Sequence, residues 1–407
     1  MSEADLSPAT ILQIAPDVRL RFDATGHLLV DSPTGTVVDA GPRGLAIVSL
    51  FAQPVPLGTA IARLEAKAWA STDFAPTMGV VNVLLEEGAL VTPGTEPGPI
   101  SGWADPVEHA RMLHDDRRTG DYLAAITAAV RPGDVVLDIG TGSGVLAVAA
   151  ARAGARHVYA VEASDIAGVA GRVFAANRVD DRVTLVRGWS RHVDLPEPAD
   201  LLVSEIIGSE PLEEEILETT LDARRRLLRP GARLVPHTLT LLVRPLRIPD
   251  ADVRQRAIGP AAVQRWRRRY GIDFQPLLDA ARPGPVHVPT EGEVAATWPP
   301  AGPPVVLAEI DLTDFAQATV DASVDLVVDQ GRAVNAVAVT FRAGLHGNVT
   351  HTLDPWRWPI SSWATSVWVL PELVQIGRDE VLRVDYRRRV QGAPDGLSCR
   401  VIAGVHD

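Results

Sequence analysis

The chain has 407 residues, of which 46% are hydrophobic and 22% are charged, and its net charge is −12. This length is enough for two or three domains that each bury a core. The negative charge disfavours a nucleic-acid partner held through its phosphates. The single cysteine, Cys399, excludes a disulfide framework, and no metal-ligand spacing occurs, so we predict no metal site. No transmembrane-length run or signal peptide is evident, which predicts a cytoplasmic protein without a membrane partner.

Residues 1–95 are predicted to form a small α+β domain. Alternating apolar residues between Gly or Asp turns predict three short strands, at Val18–Phe22, Leu28–Val30 and Thr36–Val38. Amphipathic patterns predict three helices, at residues 44–51, 57–64 and 74–87. Elements of this number and size indicate a compact winged helix.

This domain resembles the PqqD-type module, which binds the leader of a ribosomally made peptide. The resemblance is carried by Leu12–Phe22, Asp39–Arg43 and Leu84–Leu90. It implies that an extended precursor peptide pairs with the edge of the small sheet. A winged helix that binds nucleic acid and an accessory domain without a ligand remain alternatives, although the sequence lacks a basic recognition helix.

A glycine-rich turn follows the predicted linker, Thr92–Gly102, and lies within a second domain, residues 103–235. An apolar strand at Val135–Leu137 is closed by Asp138, and the chain then turns into an Ala-rich helix. The turn contains three glycines, which permit close approach of the backbone to a ligand: Gly140, Gly142 and Gly144. Glu162, at the end of the next strand, is placed to accept hydrogen bonds from two ribose hydroxyls.

The spacing around this turn differs from that of nicotinamide-binding domains. Asp138 lies two residues before the first glycine, and Gly144 comes one residue early for the pyrophosphate pattern. The arrangement resembles class I S-adenosylmethionine-dependent methyltransferases. It implies S-adenosylmethionine as cofactor and S-adenosylhomocysteine as product, both held by this loop and Glu162. A nucleotide site and a Rossmann core without a ligand remain alternatives.

Two glutamates follow the later strand Ala199–Val203. Ligands of parallel sheets bind beyond the carboxyl ends of the strands, so Glu205 is expected where acceptor and cofactor meet. Glu205 and Glu214 resemble the double-glutamate loop of protein arginine methyltransferases, which implies that their carboxylates clamp a guanidinium as the catalytic pair. Glu214 is expected to begin a helix. The neighbouring acids are interpreted as solvent-facing: Glu210, Glu213 and Glu215.

The resemblance to protein arginine methyltransferases extends on both sides of this loop. His109–Thr119 matches a helix of that family. The match implies that Met112 packs near the methyl group of the cofactor and that Arg118 binds the cofactor carboxylate. Ser361–Trp363 matches the family's Thr-His-Trp loop. Together with the helix, this loop implies a substrate pocket that contains Asp115, Ser362 and Trp363.

Three departures from that family stand out. Ser362 replaces the histidine of the loop, so the expected pairing of Asp115 with a histidine is lost. The family's aromatic segment that covers the cofactor has no counterpart here, and only Trp103 is nearby. The position of the family's adenine-binding acid falls near Arg191 in this chain. The loss of the histidine favours a peptide amine over arginine as the acceptor.

Residues 236–407 are predicted to form a β-barrel or sandwich, because short apolar strands alternate with turn residues. A helical segment at 251–282, with Tyr270–Phe274 inside it, resembles the dimerisation arm of the same family and implies a homodimer.

These features predict an α/β Rossmann-like methyltransferase core, preceded by a winged-helix domain and followed by a β-barrel with a helical arm. We predict an S-adenosylmethionine-dependent N-methyltransferase that acts on a basic nitrogen of a ribosomal precursor peptide, as in daptide-type pathways. The alternatives are a protein arginine methyltransferase acting on folded proteins, a small-molecule N-methyltransferase and a non-catalytic peptide-binding scaffold.

Overall fold

The computed structural model describes residues 7–15, 18–23, 25–32, 37–65, 74–92, 103–256, 258–280, 284–329, 333–390 and 395–404. The chain divides into two compact units, Met1–Asp105 and Pro106–Asp407. Thr36 and nearly all of the predicted linker, Thr92–Gly102, lie outside the described residues. Within the described ranges, no helix is both long enough and apolar enough to cross a membrane.

In its described residues, the first unit contains short antiparallel strands and three helices. Its strands are β1 (Ile11–Ile14), β2 (Arg19–Phe22), β3 (Leu28–Asp31), β4 (Val37–Asp39), β5 (Val55–Pro56) and β6 (Leu90–Val91). Its helices are α1 (Gly44–Val48, continued by a 3-10 turn at Ser49–Phe51), α2 (Leu57–Glu65) and α3 (Phe74–Glu86). The strands form two small sheets, ordered β2-β3-β4 and β5-β1-β6.

The sheet β5-β1-β6 was not predicted from the sequence. β5 and β6 have only two residues each, too few for a pattern to show, and the sequence of β1, Ile-Leu-Gln-Ile, does not alternate strictly. Leu12 of β1 is completely buried beside Phe51 and Leu84, so this sheet helps to close the core of the unit.

The second unit begins with a parallel α/β layer. Its elements are α4 (Pro106–His114), α5 (Asp116–Ala129), β7 (Val135–Ile139), α6 (Val145–Arg152), β8 (His157–Glu162), α7 (Ala167–Ala176), β9 (Val183–Arg187), β10 (Ala199–Ser204), α8 (Ile216–Arg226) and β11 (Leu228–Val235). The parallel sheet has the order β11-β10-β7-β8-β9. All five residues of β7 are buried, as an apolar run in a central strand requires.

The strand order reverses between β7 and β10. The chain goes from β7 outward through β8 and β9, then returns to place β10 on the other side of β7. Ligands of open α/β sheets bind in the crevice at such a point. The loops after β7 and β10, which carry the glycines and Glu205, therefore flank one crevice.

The part of the remaining chain that the structure describes forms two antiparallel sheets and a helical segment. The strands are β12 (Thr238–Leu246), β13 (Val286–Thr290), β14 (Val305–Asp311), β15 (Val320–Leu326), β16 (Ala333–His346), β17 (Val349–Thr352), β18 (Thr365–Gln375), β19 (Glu380–Arg388) and β20 (Gly396–Ala403). One sheet is ordered β13-β18-β16-β12-β14, with β17 paired to β16, and the other β15-β19-β20. The helices are α9 (Asp250–Arg256), α10 (Pro260–Tyr270), α11 (Gln275–Ala280) and α12 (Gly292–Ala296).

The antiparallel sheets share a continuous apolar core with the parallel sheet. Leu137 of β7, Leu201 of β10, Phe341 of β16 and Val384 of β19 belong to the same buried cluster. The parallel and antiparallel layers therefore pack as one body, and the predicted boundary at 235/236 falls inside this core.

Candidate active site

The glycine loop after β7 adopts the backbone conformation that the sequence predicted. Gly140, Gly142 and Gly144 have φ angles of 74°, 54° and 88°, in the left-handed region where side chains are strained. A Cβ on Gly142 would lie 2.8 Å from the His109 ring, and one on Gly144 would lie 2.5 Å from Phe174. These positions require glycine both for conformation and for space.

Glu162 and Asp138 support this loop from the ends of β8 and β7. One Glu162 carboxylate oxygen accepts a hydrogen bond from Gly142 N at 2.9 Å, and the other accepts one from Ser164 N at 2.8 Å. Asp138 is completely buried and accepts a hydrogen bond from Thr141 Oγ1 at 2.6 Å. Burial raises the pKa of Asp138 to about 7, with a further contribution from nearby Glu162. A cationic donor at this place would favour the ionised carboxylate.

The predicted single helix around Met112 is two helices, because the chain breaks at Asp115. Asp115 caps α5 by accepting a hydrogen bond from Arg118 N at 2.9 Å. Its other oxygen accepts hydrogen bonds from Ser362 N at 2.9 Å and Ser361 Oγ at 3.2 Å. Burial raises the pKa of Asp115, but these hydrogen bonds outweigh it and the net pKa is lowered. The serines thus take the place of the histidine expected beside Asp115.

Arg118 is paired with one predicted catalytic glutamate and influences the other through its charge. Its Nη2 forms an ion pair with Glu205 Oε2, and both side chains are largely buried, at 12% and 7% exposure. Its Nη1 lies 3.4 Å from the carbonyl oxygen of Met112. Its positive charge also interacts with the Glu214 carboxylate. Arg118 therefore contacts the Met112 backbone and Glu205 directly, and Glu214 lies within reach of its charge.

Glu214 is held in a setting that disfavours its charge. Burial raises the pKa of Glu214 to about 8, the charge of Glu213 raises it further, and Arg118 opposes the rise. A carboxyl group with such a pKa accepts a proton near neutral pH. The two glutamates are thus chemically different, since Glu205 is directly paired to a guanidinium.

Three predictions about the acidic loop, Glu205–Glu215, are wrong. Glu214 does not begin the helix, because α8 starts at Ile216. Glu210 is buried rather than solvated: it accepts hydrogen bonds from the Tyr386 hydroxyl and from Leu212 N. Glu215 forms ion pairs with Arg191 and Arg389. Only Glu213 is exposed to solvent as predicted.

Trp363 is a buried residue that joins the Ser361–Trp363 loop to the segment after β10, which begins with Glu205. Its indole N–H donates to the carbonyl oxygen of Ile207, two residues after Glu205. Its ring packs edge-on against Phe341 at 5.1 Å, and the Arg118 guanidinium carbon lies 5.2 Å from its centroid. Trp363 therefore packs next to Arg118 and fixes the start of the Glu205 loop.

His351 was not predicted as a site residue from the sequence. This side chain is 2% exposed, its Nδ1 lies 2.8 Å from Asp121 Oδ2, and its ring lies 5.2 Å from that of Trp363. Burial lowers the pKa of His351, which keeps the ring neutral. A histidine thus does support Trp363, but it comes from β17 and not from the loop. No local motif marks His351, so only the fold reveals it.

Comparisons with known proteins support the class that this fold and site define, a Rossmann-fold methyltransferase. The family profile of ribosomal protein L11 methyltransferase (PrmA) matches residues 118–234. Solved structures with this fold include protein arginine methyltransferase 10 of Arabidopsis thaliana, at 21% identity and a TM-score of 0.59, covering 74% of this chain and 98% of that one. The Trypanosoma brucei PRMT1 enzyme–prozyme heterotetrameric complex with AdoHcy is similar at 22% identity and a TM-score of 0.59, covering 75% and 100%.

Sequence relatives identify the family. Protein arginine N-methyltransferase 1 of Chlamydomonas reinhardtii is 30% identical over 282 residues, covering 67% of this chain and 78% of the relative. A probable protein arginine N-methyltransferase 6 of Arabidopsis thaliana is 33% identical over 244 residues, covering 55% and 54%. This chain belongs to the protein arginine methyltransferase family.

The family confirms several predictions at the level of class. These are a Rossmann-like methyltransferase core joined to a β-barrel or sandwich, with S-adenosylmethionine as the cofactor. The chain spans about half the length of some curated relatives, 54% and 48% of two of them. Its own reaction, acceptor and partners are therefore inferred below from its residues.

Proposed function

We propose that this protein transfers a methyl group from S-adenosylmethionine to an arginine side chain of a polypeptide. The observation that carries this proposal is the ion pair between Glu205 and the guanidinium of Arg118, whose positive charge also acts on the buried Glu214 carboxyl group. A site that holds two carboxyl groups near a buried cation suits a second, planar cation from the substrate. The family relationship favours this acceptor over the peptide amine that the loss of a histidine at Ser362 suggested.

The residues after β7 and β8 fit the cofactor. Asp138 Oδ1 is buried and makes no hydrogen bond of ordinary geometry with the described residues. The backbone amide of Ala147 is nevertheless near enough to lower the pKa of Asp138. The α-ammonium of S-adenosylmethionine is the kind of donor that this oxygen lacks. Glu162 retains lone pairs that can accept hydrogen bonds from ribose hydroxyls. Arg118 suits the carboxylate of S-adenosylmethionine, and Gly142 has no side chain that would fill the loop. When bound, S-adenosylmethionine supplies an electrophilic methyl group on a sulfonium.

The protein's own residues would orient the acceptor and receive its proton. A guanidinium is always protonated and its lone pairs are delocalised, so it must be held rigidly to present one nitrogen. Glu205, which is paired with Arg118, would hold one edge of the cation. Glu214 is the better proton acceptor because its pKa is raised to about 8. It would take the proton that the guanidinium loses on methylation.

The first unit would bind an extended peptide. We propose that this peptide is the leader of a precursor peptide. β2 lies at the edge of the sheet β2-β3-β4, and all four of its residues are exposed. Phe22 is 59% exposed and Leu20 is 44% exposed. An open backbone edge with alternating side chains is what strand addition needs. Binding there would raise the local concentration of acceptor for the enzyme.

A homodimer through the segment α9 to α11 is part of the same proposal. Tyr270, Ile272 and Leu277 lie in this segment with more than half of their surface exposed. Such apolar exposure favours a protein contact. Ile272→Asp should convert a dimer to a monomer in light scattering. A wild-type protein that is already monomeric contradicts this part of the proposal.

The function is tested with peptides that differ only in the acceptor. The protein is incubated with methyl-labelled cofactor and matched peptides that contain one arginine, one lysine or a free terminal amine. Mass spectrometry should find a gain of methyl on arginine alone. Methylation of the amine alone would restore the peptide-tailoring hypothesis, and binding of peptide without any transfer would support the scaffold.

A further inference from the structure

A cavity of about 800 Å³ lies at the end of α8 that is remote from the glutamates. It is lined by the last turns of α8, by β11, by the turn after β16, and by Thr313, Phe315 and Ala316. α8 starts at Ile216, next to the acidic loop, and a helix rises about 1.5 Å per residue. Arg225, nine residues further on, therefore lies on the order of 14 Å from the start of the helix. The cavity is distinct from the candidate active site.

The lining of this cavity is basic. It contains four arginines and two histidines, and no acidic residue is among its described members: Arg224, Arg225, Arg229, Arg233, His237 and His346. This local positive charge stands in a protein whose net charge is −12. An anionic ligand would therefore be repelled from most of the surface and attracted here.

Two of the arginines are already neutralised. Arg233 pairs with Asp134 at 2.7 Å, and Arg229 lies 3.3 Å from Asp200. Arg224 donates to the carbonyl oxygen of Phe315 at 2.9 Å, and its nearest carboxylate, that of Asp314, is 3.9 Å away and almost fully exposed.

Arg225 is exposed and forms no ion pair with any described residue. The Arg225 guanidinium thus remains available for a ligand, and Arg224 keeps N–H groups that its bond to Phe315 does not use.

We propose that this cavity binds an acidic segment of a second polypeptide. Guanidinium groups match carboxylates in planar, bidentate pairs. Apolar side chains also line the cavity, among them Leu221, Leu228 and Phe315, and they suit the side chains of a polypeptide better than a bare inorganic anion. A mixed acidic and apolar segment therefore complements both features of the lining.

The test is direct binding to the full-length protein without cofactor, so its outcome is independent of the proposed methyl transfer. A fluorescent decapeptide of alternating glutamate and leucine is titrated with protein at low salt, and anisotropy is measured. Arg224→Gln and Arg225→Gln should each weaken binding about fivefold or more, because each removes a charge that faces the ligand. Arg172→Gln, which removes an exposed arginine of α7, should leave binding unchanged.

Several results would overturn the proposal. Equal affinity of the wild type and both cavity variants would place the peptide elsewhere. Displacement of the peptide by low millimolar phosphate would identify a simple anion site. Tighter binding of a single-stranded oligonucleotide than of the peptide would point to a nucleic acid instead. A decapeptide with lysine in place of glutamate should not bind.

Discussion

Arg118 and Glu205 form an ion pair that joins the start of α5 to the end of β10, across 87 residues of sequence. Both side chains are largely buried, and Arg118 also faces Glu214. The pair sets the character of the candidate site, because one glutamate is bound directly to a guanidinium while the other has a raised pKa.

Glu205→Gln is expected to lower methyl transfer at least about 100-fold, because the amide cannot hold the acceptor cation as an anion does. Affinity for S-adenosylhomocysteine, measured by calorimetry, should change little. Glu293→Gln, at an exposed glutamate of α12 remote from this loop in sequence, is the control and should retain activity. Full activity of Glu205→Gln would remove this residue from the mechanism.

Turnover of a cationic acceptor should rise as the pH is raised through about 8, because the Glu214 carboxyl is protonated below its pKa. The Glu214→Gln variant should lose this dependence in kcat/KM along with most of its activity. A pH profile that is flat from 7 to 9 in the wild type would contradict this assignment.

The same group links stability to pH with a defined sign. The pKa of Glu214 is about 8 in the folded protein against a usual value of 4.5, so between these values the folded state holds a proton that the unfolded state lacks. The free energy of unfolding should therefore fall as pH rises from about 4.5 to 8. Denaturant titrations at several pH values should show a smaller slope for Glu214→Gln than for the wild type.

Gly142→Ala is expected to weaken binding of S-adenosylhomocysteine at least about tenfold, since the methyl group would meet His109 and distort the cradle. Gly154→Ala is a matched control, because Gly154 also has a positive φ but no atom within 4 Å of an added Cβ. It should cost about 1 kcal/mol of stability and leave affinity unchanged. Equal losses of affinity in the two variants would show that backbone strain alone is responsible.

His351→Ala should lower the free energy of unfolding by about 2–4 kcal/mol, because it empties a buried site and leaves Asp121 without its partner. It should also loosen Trp363 and reduce acceptor turnover more than cofactor affinity. Tryptophan fluorescence and calorimetry separate the two effects. His157→Ala, on the half-exposed start of β8, should have little effect on either.

The elements with strong local patterns were predictable from the sequence. The apolar strand β7, the glycine turn and Glu162 follow each other closely along the chain, and backbone sterics and burial dictate their conformation. Glu205 could be placed because the carboxyl ends of parallel strands lie at one edge of a sheet. The short strands β1, β5 and β6 carried too little pattern to be found.

The charge states and supports of the site were decided only by the tertiary structure. Acidic residues in one loop look alike in sequence, yet Glu210 is buried against Tyr386, Glu215 is bound by arginines and Glu213 faces solvent. His351 reaches Trp363 and Asp121 from a distant strand. Burial and Coulomb interactions depend on distances in space, and the order of residues along the chain does not determine those distances.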